Sequence, residues 1–183
     1  RLPFRQGNSY QNDFMKEFIK SELHDLKKDS VVTELYCGSG NFTEVLVQLD
    51  LKKITAVEVV SQALEYLKKR FPHIQVIRMD LAKESNFHIL GRKLKTTETL
   101  LLDPPRIGAR GLEHFVKATK NLKKIIYVSC DTASFLRDAQ KLQKLGFLLE
   151  KLQPLDQFPQ TPHLELIGIF TTHHLLLHHQ SRP

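Results

Sequence analysis

From Val31 onward the hydrophobic residues fall in short continuous runs, separated by longer stretches in which they recur at helical spacing. The runs predict strands at residues 31–36, 53–58, 74–78, 98–102 and 124–129, with two more at about 147–154 and 164–171 after Gly146. The stretches between them predict helices near 42–49, 60–70, 111–121 and 133–145, and a less regular segment around 80–95. Ahead of the first strand, residues 9–28 carry Met15, Ile19 and Leu23 on one face, with Phe14, Phe18 and Leu26 beside them and Lys16, Lys20 and Lys27 between. That is an amphipathic helix, which Asn8 or Ser9 can cap. Strands alternating with helices imply an α/β fold: a mostly parallel sheet with helices on both faces. The last two strands, joined by a Pro-containing loop, can form a C-terminal antiparallel hairpin. There is no repeat and no long linker, so residues 1–183 read as one domain, with 1–30 as a helical entry and 171–183 as a tail.

Composition narrows the function classes. At 183 residues, 41% hydrophobic and 26% charged, the chain can bury a sizeable core. No apolar run approaches the ~20 residues that span a bilayer, and no signal-peptide pattern is present. The opening Arg1-Leu2-Pro3-Phe4 reads as the interior of a longer protein, whose other parts would hold any targeting segment. A cytoplasmic setting is the expectation, with an organelle such as the mitochondrion left open. The net charge of +7 points to a polyanionic partner. Cys37 and Cys130 are too few for a disulfide framework or a cysteine-ligated metal, and no metal is expected. His173, His174, His178 and His179 near the C-terminus fit a frayed end better than a metal site.

The chemistry-bearing residues gather at the carboxyl ends of the predicted strands, where open α/β sheets bind ligands. Tyr36-Cys37-Gly38-Ser39-Gly40-Asn41 reads as a strand end, a glycine loop and a helix start. Gly38 and Gly40 permit a tight turn and close ligand approach, and the helix start offers N–H groups. Glu58 ends the next strand, where a carboxylate can accept both hydroxyls of a ribose. Together they imply a nucleoside-containing cofactor. Asp80 occupies the third strand end. Asp103-Pro104-Pro105-Arg106 follows the fourth, a stiff wall suited to a flat ring, with Arg106 favouring an RNA or nucleotide site. Cys130 follows the fifth. It is either a buried packing residue or a nucleophile whose thiolate the following helix start, or a nearby cation, would favour.

Five segments occur in order: Phe4-Arg5-Gln6-Gly7-Asn8, Tyr36-Cys37-Gly38-Ser39-Gly40-Asn41-Phe42, Asp103-Pro104-Pro105-Arg106-Ile107-Gly108, Tyr127-Val128-Ser129-Cys130, and the run from Asp156-Gln157-Phe158-Pro159 through Thr161-Pro162-His163-Leu164-Glu165. Together they resemble the S-adenosylmethionine-dependent RNA 5-methyluridine (uracil-5-) methyltransferases of tRNA and rRNA. The resemblance implies a class I methyltransferase (Rossmann-like) sheet. It also implies S-adenosylmethionine as cofactor, held by Gln6, Tyr36, Asn41, Glu58 and Asp103, which the strand-end reading supplements with Gly38, Gly40 and Asp80. Cys130 matches the family's nucleophile and Glu165 its proton-abstracting base. Asp103 and Arg106 fall to the RNA substrate, Arg106 gripping either the developing enolate or a phosphate. One departure stands out: the family usually has Asn-Pro after the cysteine, where this chain has Asp131-Thr132. An Asp there is expected to oppose thiolate formation. The rival readings are an RNA 5-methylcytosine methyltransferase, which shares the cysteine chemistry, and a catalytically silent RNA-binding module. The Asp103–Arg106 and His163-Leu164-Glu165 segments disfavour the first.

Overall fold

A computed structural model describes residues 4–156 and 164–172, with side chains from Ser9 to Leu155 and from Leu164 to Thr172. Seven strands form one sheet: β1 (Val31–Leu35), β2 (Lys53–Glu58), β3 (Gln75–Arg78), β4 (Thr99–Leu102), β5 (Lys124–Ser129), β6 (Phe147–Asp156) and β7 (Leu164–Thr172). Their spatial order is β3-β2-β1-β4-β5-β7-β6. The first five pair in parallel. The last two form the expected antiparallel hairpin, with β7 inserted beside β5. The helices are α1 (Phe4–Glu22), α2 (Thr43–Gln48), α3 (Ser61–Arg70), α4 (Glu84–Lys93), α5 (Leu112–Ala118) and α6 (Thr132–Lys144).

Alternation along the strands splits the core in two. Leu100, Leu102, Ile125 and Tyr127 pack with Phe87 and Leu90 of α4, Phe115 of α5 and Phe135 of α6. Leu101, Ile126 and Val128, of opposite parity, pack with Ile19 and Leu23 of α1, Leu46 of α2 and Leu67 of α3. Each face therefore carries three helices, as the continuous apolar runs of β4 and β5 require.

Three local expectations need correction. The segment around 80–95 is a regular helix, α4, whose apolar signal is thin because Gly91 occupies a buried interior position. A Cβ there would come within 2.8 Å of the Ala118 Cβ, so the residue that weakens the helical pattern is the one that lets α4 and α5 meet. The N-terminal helix is shifted: it begins at Phe4 and ends at Glu22, so Asn8 and Ser9 lie inside it and do not cap it. Finally, α2 spans six residues, and its first amides are satisfied locally, Glu44 N–H by the Gly40 carbonyl and Val45 N–H by that of Phe42. Those two of the N–H groups expected to be free at that helix start are thus taken up by the backbone turn.

Candidate active site

Register places the strand ends together. Leu35 pairs with both Val57 and Leu102, and Leu102 pairs with Tyr127, so Tyr36, Glu58, Asp103 and the end of β5 share one rim. A cavity of about 350 Å³ opens there, lined by the polar Tyr36, Glu58, Asp80 and Asp103 and the apolar Val59, Met79, Leu81 and Pro105. Pro105 belongs to the stiff wall expected after β4, whereas Val59, Met79 and Leu81 escape a sequence reading, because nothing in their spacing separates them from ordinary strand ends. Tyr36 adopts φ 58°, a left-handed conformation that strains a side chain with a Cβ by about 1–2 kcal/mol.

Glu58 is more committed than the sequence implies. Its carboxylate accepts hydrogen bonds from the amides of Gly38 at 3.0 Å, Val59 at 2.7 Å and Val60 at 3.2 Å. With about four lone-pair sites on a carboxylate, three of them are taken by backbone amides. The two loop glycines also differ. A Cβ on Gly38, at φ +53°, would meet nothing within 4 Å, whereas a Cβ on Gly40, at φ +98°, would lie 2.2 Å from Leu67 Cδ1. Gly40 thus allows α3 to pack under the loop. Asn41 and Asn12 of α1 exchange side-chain amide hydrogen bonds at 3.0 and 2.6 Å, tying α1 to the loop away from the cavity wall. Asp80 accepts from the Ala82 amide at 3.0 Å, shaping the turn after β3. The side chain of Gln6 and the segment 157–163, with His163, lie outside the described residues, as do His173, His174, His178 and His179.

Beside the cavity, β5 and β7 run antiparallel, with Ser129 opposite Leu166. One step further along that register brings Cys130 level with Glu165. The charges agree with this proximity. Burial raises the Glu165 carboxyl. Crowding by protein atoms raises Asp103 to about 7, with Glu165 adding to the shift; part of Asp103 is open to solvent, which tempers the size of the effect but not its direction. Cys130 is half-buried, and its thiol is raised by burial and then by Asp103 and Glu165, against a lowering by Arg106. The helix that follows does not bring the thiol below its ordinary range.

Nor is Asp131 the group that opposes the thiolate. Its carboxylate caps α6, accepting from the Ser134 amide at 2.8 Å, and it is held low by that bond. Asp and Asn are equivalent N-caps, and Thr132 stands at the first helical position, which Pro also favours. Asp131-Thr132 therefore does the structural work that Asn-Pro would do. Two buried carboxylates were not singled out by sequence. Glu34 of β1 is 2% exposed and accepts from the Thr43 hydroxyl; burial raises it to about 8, with Asp103 contributing. Asp138 of α6 is 1% exposed. Its spacing from Phe135 and Leu142, an acid on an apolar stripe, was the available signal. Among the described residues no cluster of His, Cys, Asp or Glu could hold a metal ion, and no helix is long and apolar enough to cross a membrane.

Comparison with known proteins points one way. An uncharacterised RNA methyltransferase of Nitrosomonas europaea is 39% identical over 171 residues, which cover 93% of this chain and 44% of the relative. The 23S rRNA (uracil(1939)-C(5))-methyltransferase of Acinetobacter baylyi is 34% identical over 176 residues, 92% of this chain and 37% of the relative. The chain thus spans less than half the length of these relatives. The structure of a Pyrococcus abyssi tRNA (uracil-54, C5)-methyltransferase in complex with S-adenosyl-L-homocysteine matches with a TM-score of 0.64 at 22% identity, over 86% of this chain and 38% of that one. NSun6 of Pyrococcus horikoshii with SFG matches with a TM-score of 0.63 at 17% identity, over 86% and 51%. At these identities the two structures speak for the fold, a class I methyltransferase sheet. The tRNA (uracil-5-)-methyltransferase family model aligns with residues 2–174, from the helical entry through the last strand. A match that takes in every segment on which the resemblance rested places the chain plainly: it belongs to the tRNA (uracil-5-)-methyltransferase family.

Proposed function

We propose that the chain is the S-adenosylmethionine-binding catalytic part of an enzyme that methylates carbon 5 of a uridine in transfer or ribosomal RNA. The observation that carries this reading is the β5–β7 register, which sets a thiol and a carboxyl level with each other beside a strand-end cavity. The cavity suits the cofactor chemically: Val59, Met79, Leu81 and Pro105 offer apolar walls to a flat base, while Glu58, Asp80 and Asp103 offer acceptors to hydroxyls and cationic groups. When bound, the cofactor supplies an electrophilic methyl group on a sulfonium.

The chain's own residues supply the rest. Carbon 5 of uracil is a poor nucleophile. Cys130 loses its proton to solvent and adds as the thiolate, through sulfur, to carbon 6, which drives density through the ring and makes carbon 5 enolate-like. After carbon 5 has taken the methyl group, the Glu165 carboxylate removes its remaining proton, the carbon–sulfur bond breaks and the ring double bond returns. A raised carboxyl is the stronger base, so the burial that lifts Glu165 favours this step. Arg106, which lowers Cys130, stands where it can stabilise the thiolate or the enolate. The target base must leave its stack to reach both groups, so a loop or a flipped nucleotide is the expected substrate.

Family membership supports uridine over the cytidine alternative. The test is incubation with 5-fluorouridine RNA, 5-fluorocytidine RNA and the cofactor. Fluorine cannot leave as a proton does, so the uridine RNA should remain attached to the protein at Cys130, and Cys130→Ala should abolish the adduct. Trapping only on the cytidine RNA, or retention of the adduct in Cys130→Ala, would overturn the proposal. A chain that binds cofactor and RNA yet forms no adduct would be the silent RNA-binding module.

A further inference from the structure

We propose that Asp138, together with Arg137 and Tyr127, is a positioning device that holds the loop bearing Arg106 beside the Cys130 thiol. The inference rests on the reading of Cys130 as nucleophile and adds residues outside the reacting centre. Asp138 lies on the buried face of α6, and its side chain is 0% exposed. A carboxylate there is tolerated only if its acceptor capacity is filled. Four hydrogen bonds fill it. The Ala109 amide donates at 2.8 Å and the Tyr127 hydroxyl at 2.6 Å to one oxygen. Arg137 donates to the other through Nε at 2.9 Å and Nη2 at 2.8 Å. The same Nη2 also donates to the Ile107 carbonyl at 2.8 Å.

These partners bracket the thiol. Tyr127 lies three residues before Cys130 on β5, and Asp138 lies on the helix that begins two residues after it. Ile107 and Ala109 belong to the loop after β4 that carries Arg106. Between them Gly108, at φ +76°, presses so close that a Cβ would come 2.5 Å from Arg137 Nη2 and 2.6 Å from Asp138 Oδ2. The Gly108 amide closes a turn onto the Pro105 carbonyl at 2.8 Å. Two prolines stiffen the preceding stretch. The carboxylate therefore grips the loop backbone at Ala109, three residues from Arg106, and through Arg137 at Ile107, one residue from it, by directional bonds that an apolar contact of equal volume would not provide. Asp103 is fixed separately, since it follows Leu102, which is paired to Tyr127 in the sheet. Loosening the grip should displace Arg106 before Asp103.

That asymmetry gives a test with a definite sign. The groups facing the thiol are Asp103 and Arg106 from the β4 loop and Glu165 from β7; Asp131, at the start of its own helix, faces Arg106. Asp138→Asn keeps an acceptor for Ala109 and Tyr127 but turns an amide N–H2 towards Arg137. If Arg106 drifts away, the thiol loses its cation and ionises less readily. Alkylation of Cys130 by iodoacetamide at about pH 8, followed by mass spectrometry of its peptide, should then slow by about threefold or more. Removing the Asp138 charge alone would act in the opposite direction. Arg106→Gln should slow alkylation similarly, and adding Asp138→Asn to it should change nothing more. The 5-fluorouridine adduct should form about tenfold more slowly in Asp138→Asn. Tyr127→Phe, which deletes one hydroxyl, should show a smaller effect of the same sign and carries the test if Asp138→Asn does not fold. Wild-type or faster alkylation in the folded variant, or effects of Asp138→Asn and Arg106→Gln that multiply, would overturn the proposal. Slowed alkylation alongside a wild type that never forms the adduct would leave the positioning intact and remove the methyl-transfer reading instead.

Discussion

Glu34→Gln should make the protein more stable at neutral pH, and the gain should vanish in acid. Glu34 lies in the sheet interior, where it accepts from the Thr43 hydroxyl, and burial raises its carboxyl from 4.5 to about 8. The sign follows from proton counting. Between those two values the unfolded chain has released the proton while the folded chain still holds it, so the unfolded state binds fewer protons and stability falls as pH rises. Each unit in that window costs about 1.4 kcal/mol, so the wild type at about pH 7.5 is some 3 kcal/mol less stable than at about pH 5 on account of this one group. The amide of Gln has nearly the same shape, can accept from Thr43 and does not titrate. The stability difference between variant and wild type should therefore widen by about 3 kcal/mol over that range. For a chain of this size that is about 6–12 °C in melting temperature. Thermal melts of both proteins at the two pH values measure it, and the double difference cancels every other titrating group. Parallel curves would mean that Glu34 is ionised in the folded state and that the burial argument is wrong.

Gly40→Ala should destabilise the fold by about 2–4 kcal/mol in urea titrations, through its positive φ and the Leu67 clash, and Leu67→Ala should recover part of any steric share. Asp131→Ala should cost about 1 kcal/mol as a lost helix cap, whereas Asp131→Asn should stay within about 0.5 kcal/mol of wild type. The rate of 5-fluorouridine adduct formation should climb with pH through and beyond the ordinary thiol range, because the thiolate reacts and its pKa is raised; a plateau below pH about 8 would contradict this. Glu165→Gln should accumulate a methylated, cysteine-linked RNA on denaturing gels with an ordinary uridine substrate, and normal turnover in that variant would shift the base role to Asp103.

The sheet was legible because strand runs and helical spacing are local properties. Leu100-Leu101-Leu102 and Ile125-Ile126 announce strands buried on both faces, and the structure finds them in the parallel core. What escaped was set by distant partners. Gly91 looks like a helix breaker until Ala118 and Phe115 are seen packed against it. Gly38 and Gly40 look alike in sequence and differ in backbone conformation and in whether Leu67 lies beneath them. Glu58 was read as an open acceptor, but three backbone amides fold back onto it, a turn geometry that no residue type nearby signals. Asp131 was judged by its adjacency to Cys130, although one step along an extended backbone turns its carboxylate towards Ser134 instead. Cys130 and Glu165 were joined by the family resemblance alone; what brings them level is the hairpin returning β7 beside β5, which no spacing along the chain reveals.

The electrostatics around Cys130 look adverse to a nucleophile only if the thiol is considered alone. Asp103 and Glu165 both raise it, and each is itself raised, Asp103 to about 7. All three shifts have the same sign, so each acid around the sulfur gives up its proton less readily than it would in water. In the proposed reaction the raised Glu165 carboxyl is a stronger base towards the carbon 5 proton than an unshifted one. A thiol of higher pKa is also the stronger nucleophile once ionised, so the loss in thiolate population is partly offset by reactivity. Arg106 then limits how far the shift goes, the one cation opposing two acids. Its placement beside the thiol matters more than its charge alone, and for that reason the Asp138 grip on its loop belongs with the chemistry rather than with the packing.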